Sequence, residues 1–117
     1  METKALNKEQ LEQVKELFKG FTVYQICEII TGLDRGVNVS IYADTKYSDL
    51  QMSAIRLGLE AGLDVAVYAD PKLKYGQMVQ IRLGLKAGVD VSIYADPKND
   101  QHQMRKIRER LEANGGL

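Results

Sequence analysis

A single cysteine, Cys27, and a single histidine, His102, are all this 117-residue chain has of the side chains that build most metal sites and nucleophilic centres. One cysteine excludes an internal disulfide and a clustered-thiolate metal site. One imidazole leaves the usual triads and histidine metal sites hard to assemble. The lack of disulfides is compatible with a reducing compartment. Charge of one sign is missing as well, because sixteen basic residues cancel sixteen acidic ones. That removes the long-range field used by dedicated binders of nucleic acid or anionic membranes. No apolar run approaches a membrane span, and the opening METKALNKEQLEQ has no apolar signal core. The remaining balance, 44% hydrophobic and 27% charged, is ordinary for one soluble domain. These absences point away from an enzyme, and the sequence offers no site for a cofactor or metal.

What is present is a period of 26 residues. Gln25, Gln51, Gln77 and Gln103 share one register, followed by Ile29, Ile55, Ile81 and Ile107, then Leu33, Leu59, Leu85 and Leu111. Residues 51–76 laid on 77–102 give 16 identities in 26 positions, and 25–50 on 51–76 give 10. The fourth copy, QMRKIRERLEANGGL, stops before the second half of the unit.

Each unit divides into two periodicities. Met52, Ile55 and Leu59 fall on one side of a helix at spacings of three and four. Thr22 with Gln25, Ser48 with Gln51, and Asp100 with Gln103 fit capping boxes, so capping is the preferred explanation of the repeated glutamine. Gly36, Gly62 and Gly88 stand where a left-handed helix end is wanted, with Val37, Leu63 or Val89 next to fold back on the last turn. The pattern then becomes two-fold in NVSIYAD, DVAVYAD and DVSIYAD. Val39, Ile41 and Ala43 point one way, and Ser40, Tyr42 and Asp44 the other, which predicts short strands.

The expected fold class is therefore α/β: a short solenoid of helix-strand repeats, about three parallel strands on one side and helices on the other. The expected single domain runs 1–117, with an N-terminal capping helix in 1–21, repeats at 22–48, 49–74 and 75–99, and a capping helix in 100–117. The first helix, roughly 8–19, places Leu11, Val14, Leu17 and Phe18 on its apolar side. Gly32, Gly58 and Gly84 lie inside helices at a cost of about 1 kcal/mol each, which implies close packing by a neighbouring unit. Arg110 takes that position in the last copy, as suits a solvated end that completes the array.

The segment QIRLGLKAGVDVSIYADPK resembles a short tandem repeat, similar to "QM..IR.GL..GLDVS.YADP", of phage, plasmid and conjugative-element proteins of gut Firmicutes. The resemblance covers about residues 25–113 and brings no functional residues to transfer. It implies a mobile-element protein, a small intracellular and hence cytoplasmic factor directed at a host or competitor system. Copy one departs from the pattern, with Ile30 at the position of Arg56 and Arg82, and Thr45 at that of Pro71 and Pro97.

On the expected sheet, Tyr42, Tyr68 and Tyr94 form a ladder at about 4.8 Å spacing, on a face that no segment covers. Ser40, Ala66 and Ser92 run beside it, with Asn38, Asp64 and Asp90 at one edge and Asp44, Asp70 and Asp96 at the other. Tyrosine gives broad contact with few rotors, so this face is the expected partner site. A shielding, purely structural role for the rings is the competing reading. The aspartates fit turns before Pro-Lys better than a calcium or magnesium site, and their identical environments do not suit acid–base pairs. Arg56, Arg82 and Arg108 are expected to bond the preceding unit rather than to hold phosphate. Leu57 and Leu83 fall on the outward back of the helices as a secondary surface, while Cys27 reads as a buried small hydrophobe and His102 as partnerless.

The sequence thus predicts a non-catalytic module that binds a protein, and the resemblance implies its most concrete form, a mobile-element inhibitor of a host defence system acting by occlusion, as anti-CRISPR proteins do. The alternative is a self-assembling module, a homodimer through the sheet face or an edge strand. Nucleic-acid or nucleotide binding is the weakest reading, because the aspartates would repel a phosphate backbone.

Overall fold

Helix starts and stops written in the sequence fix the frame of the molecule, whose structure here is a computed structural model describing residues 7–116 apart from the side chain of Leu11. Five α-helices occur among the described residues: α1 (Lys8–Leu17), α2 (Val23–Asp34), α3 (Asp49–Glu60), α4 (Tyr75–Ala87) and α5 (Gln101–Ala113). Complete capping boxes open α2, α3 and α5 at Thr22, Ser48 and Asp100. At α4 only the glutamine half forms, Lys74 N–H donating to Gln77 Oε1, because an ammonium cannot accept a bond. The helix ends at Gly36, Gly62 and Gly88 are left-handed, with φ of 74°, 71° and 78°. Val37, Leu63 and Val89 then fold back, each N–H donating to the carbonyl of Gly32, Gly58 or Gly84 at 2.9–3.0 Å.

The expected strands do not form. Each is a three-residue 3₁₀ turn, Val39–Ile41, Val65–Val67 or Val91–Ile93, and no strand occurs among the described residues. The α/β solenoid with a parallel sheet is therefore corrected to an all-helical solenoid, and its open edge strands go with it. The physical cause lies at both ends of each turn. Asn38, Asp64 and Asp90 each accept the N–H two residues on, which curls the chain instead of extending it. Ala43, Ala69 and Ala95 then close bonds of 2.8 Å to the carbonyls of Val39, Val65 and Val91. The inward residues are thus spaced by three and four: Val65, Tyr68 and Ala69 face the core, while Val67 is 39% exposed. Ile41, expected inside, is exposed, and Tyr42, expected outside, is fully buried.

From α2 to α5 each helix packs on the next, and the whole measures 57 × 31 × 17 Å, a row of units with one continuous core. Met52, Ile55, Met78, Ile81 and Met104 fill that core together with the three repeat tyrosines. The helical glycines make room for these rings. A Cβ on Gly58 would run into the Tyr68 hydroxyl and stand 2.6 Å from Val65 Cγ1. Gly32 and Gly84 meet Tyr42 and Tyr94 in the same way. The close packing is therefore by the unit's own tyrosine and not by a neighbouring unit. Arg110 fits this account, since the fourth copy carries no tyrosine within the sequence.

The N-terminal helix caps less than its pattern predicts. Phe18 and Phe21 meet edge to face, ring centres 6.2 Å apart, and pack against the core. Leu17, however, is 77% exposed, and the Leu11 side chain lies outside the described residues.

Gly58→Ala separates helix propensity from packing. Alanine would otherwise gain about 1 kcal/mol in a helix interior, but overfilling a packed core costs about 1–3 kcal/mol. The variant is expected to melt lower than wild type by circular dichroism, and Tyr68→Phe in the same chain should recover part of the loss by removing the colliding oxygen.

Candidate functional site

Of the residues expected to form the partner surface, the tyrosines lie inside the molecule, while the serines and aspartates stay at its surface in local hydrogen bonds. Tyr42, Tyr68 and Tyr94 are buried, and their hydroxyls donate at 2.7 Å to the carbonyls of Glu28, Ala54 and Gln80. Burial pushes each phenol up to about 12, against the opposing pull of Arg56, Arg82 or Arg108. The tyrosine ladder is thus corrected from a binding face to a core element. Ser40 and Ser92 donate their hydroxyls to Asn38 and Asp90 at 2.6 Å. Asp64 and Asp90 cap the 3₁₀ turns. Asp44, Asp70 and Asp96 accept from the backbone of Lys46, Lys72 and Lys98 at 2.9–3.0 Å, fixing the following turn as an aspartate there should. Among the described residues, no group of three or more His, Cys, Asp or Glu side chains converges as metal ligands do.

Two repeated side chains join the units. Each core glutamine accepts its own cap N–H and turns its amide nitrogen to the loop that leads into the next helix. Gln25, Gln51 and Gln77 donate at 2.7 Å to the carbonyls of Tyr47, Leu73 and Asn99. The capping role is therefore correct, and the bond to that loop is what pattern alone did not reveal. Two of the three arginines reach back as expected, Arg56 Nε donating to Glu28 at 2.8 Å and Arg108 Nε to Gln80 at 3.0 Å. Arg82, expected to do the same, meets Ala54 in place of an acceptor, and its Nε has no hydrogen-bond partner among the described residues. Leu57 is 38% exposed on the helix back, and Leu83 is part-buried. His102 lines a cleft of about 390 Å³ with Lys72, Lys74, Lys98 and Asp100, a mixed-charge surface between the last two units.

The open surface lies elsewhere. On α2, Val23, Cys27 and Ile30 follow one face, flanked by Tyr24 and Leu33. All five are exposed, with Val23 at 71%, Tyr24 at 73%, Ile30 at 53% and Leu33 at 59%. Cys27 is thus corrected from a buried hydrophobe to a surface one. In the later units part of this face is packed: Leu111, the last counterpart of Leu33, is 7% exposed, and the counterparts of Ile30 are the arginines just described. Leu50 and Tyr75, counterparts of Tyr24 and Val23, are exposed as well. The substitution of Ile30 for arginine was the legible signal. The opposite end of the array is polar, exposing Gln103, Lys106 and Arg110.

Comparison with protein-family models, with curated proteins and with solved structures returned no match. Among the described residues no helix is long and apolar enough to cross a membrane.

The buried phenols give a pH dependence of known sign. Each holds its proton to about 12 when folded and to about 10 when unfolded. Their contribution is complete below 10 and is lost as pH rises through 12. Thermal melts should fall steeply over that interval, and ultraviolet phenolate titration should show a late class of tyrosines appearing together with the loss of helix.

Proposed function

We propose that the chain is a non-catalytic protein-binding module whose partner docks on the apolar face of α2. The observation that carries this is the exposure of Val23, Tyr24, Cys27, Ile30 and Leu33 together on one helix, with Ile30 and Leu33 at positions that later units turn to the preceding helix and core. Contiguous exposed apolar side chains with an aromatic beside them are the usual makings of a protein interface. The resemblance of the repeat to those of mobile elements supports a component of a host defence system as the target, blocked by occlusion in the cytoplasm.

One observation favours a second reading, self-association. The polar residues Lys106 and Arg110 at the far end make a poor match for the α2 face, so head-to-tail growth is disfavoured. Two α2 faces, by contrast, are complementary to each other about a two-fold axis.

Ile30→Arg installs the residue of the other three copies and tests both readings. The variant is expected to keep the wild-type helicity and melting temperature. In a pull-down from host lysate it should lose a stoichiometric protein that the wild type retains, with its own mass in solution unchanged. If the wild type is instead a dimer that Ile30→Arg splits, self-association replaces partner binding. Equal recovery with both proteins and equal mass would remove the α2 face from either role.

A further inference from the structure

The three helix arginines occupy equivalent positions, but the chain completes only two of them. Arg56 bonds Glu28 of the preceding helix through Nε at 2.8 Å and Glu60 one turn further on. Arg108 bonds Gln80 through Nε at 3.0 Å and Glu112 through Nη1 at 2.7 Å. For Arg82 both acceptors are missing from the sequence: Ala54 replaces the first and Lys86 the second. Its Nε is buried with no hydrogen-bond partner among the described residues. A buried donor without an acceptor is costly, and a second cation one turn away adds repulsion. Lys86 is exposed and Arg82 only part-buried, so the pair is open to solvent on one side.

We propose that Arg82 and Lys86 form a carboxylate-binding site, in which an acidic side chain of a partner protein takes the place at Arg82 that Glu60 takes at Arg56 and Glu112 at Arg108. The side of Glu28 is closed there by the fully buried Ala54. The repeat itself supplies the template. In both completed copies the acceptor on the exposed side of the guanidinium is a carboxylate bonded to Nη1. A carboxylate also brings the charge that balances Lys86. The site lies between α3 and α4, away from the open face of α2, and does not depend on that face being an interface.

The test follows the arginine Nε–Hε resonances by NMR while the protein is titrated with a triglutamate peptide, inorganic phosphate or sodium chloride at constant ionic strength. Arg56 and Arg108 serve as internal controls. The peptide is expected to shift the Arg82 resonance saturably while those two stay in place, and to raise the melting temperature. Ala54→Glu supplies the acceptor from within, so it should abolish both responses. Lys86→Glu does the same from the exposed side of α4 and answers for Ala54→Glu should that variant fail to fold. Ile30→Arg should respond as wild type does, which separates this site from the α2 face. Absence of a saturable Arg82 shift, or a response that persists in the acidic variants, would overturn the proposal. A shift with phosphate but not with the peptide would overturn the carboxylate assignment and point to phosphate-bearing partners.

Discussion

A tyrosine hydroxyl donating to a main-chain carbonyl 14 residues back closes each unit on itself. The bond spans the helix, its left-handed end and the 3₁₀ turn, so these three elements have one relative placement. It requires that nothing stand between ring and helix, which is why Gly32, Gly58 and Gly84 are tolerated inside helices despite their low propensity. The ring fills the core, the oxygen satisfies a carbonyl, and the glycine admits both. Burial of the phenol without that carbonyl would leave a polar group unpaired in the interior. The exposed Ile41, Val67 and Ile93 follow directly, because turning the tyrosine inward turns its neighbours out.

Between units the connections are polar and directional. The glutamine amide ties the start of each helix to the loop before the next helix, and the arginine ties the middle of a helix to the one before it. Glutamine and arginine bonds thus run in opposite directions along the chain, and an inner helix is held from both sides. The ends differ in chemistry. The helix α2 keeps apolar residues exposed at the start of the array, and α5 turns charged residues outward at its end.

The period, the helices, their caps and the left-handed glycine ends were legible because each rests on local chemistry: a side chain three residues from the backbone group it satisfies, or a glycine where φ is positive. The second half of the unit was not. In DVAVYAD, alternation and helical spacing both fit, since Val65 and Tyr68 are three apart and Ala69 is four from Val65. Seven residues are too few to separate the two periods. The β-branched content favoured a strand, while Asp64 as a turn-former favoured a curl. The deciding contact, Tyr68 over Gly58, is tertiary. Once the strands were assumed, a tyrosine surface followed, so the error in the candidate site came wholly from the error in the turn. The arginine pairing survived at Arg56 and Arg108 because helix register sets it, and failed at Arg82 because Ala54 and Lys86 supply no acceptor. The exposed face of α2 was visible in part, as Ile30 in place of arginine.

The glutamine bond ends on a backbone carbonyl, and the three residues that supply that carbonyl are Tyr47, Leu73 and Asn99, an aromatic, an aliphatic and an amide. The joint therefore does not read the identity of the residue it grips. Units can be duplicated, deleted or exchanged in whole multiples of 26 residues with every glutamine joint remade, whereas an insertion of any other length would break the register at once. Such a lineage can change its length far more readily than its spacing.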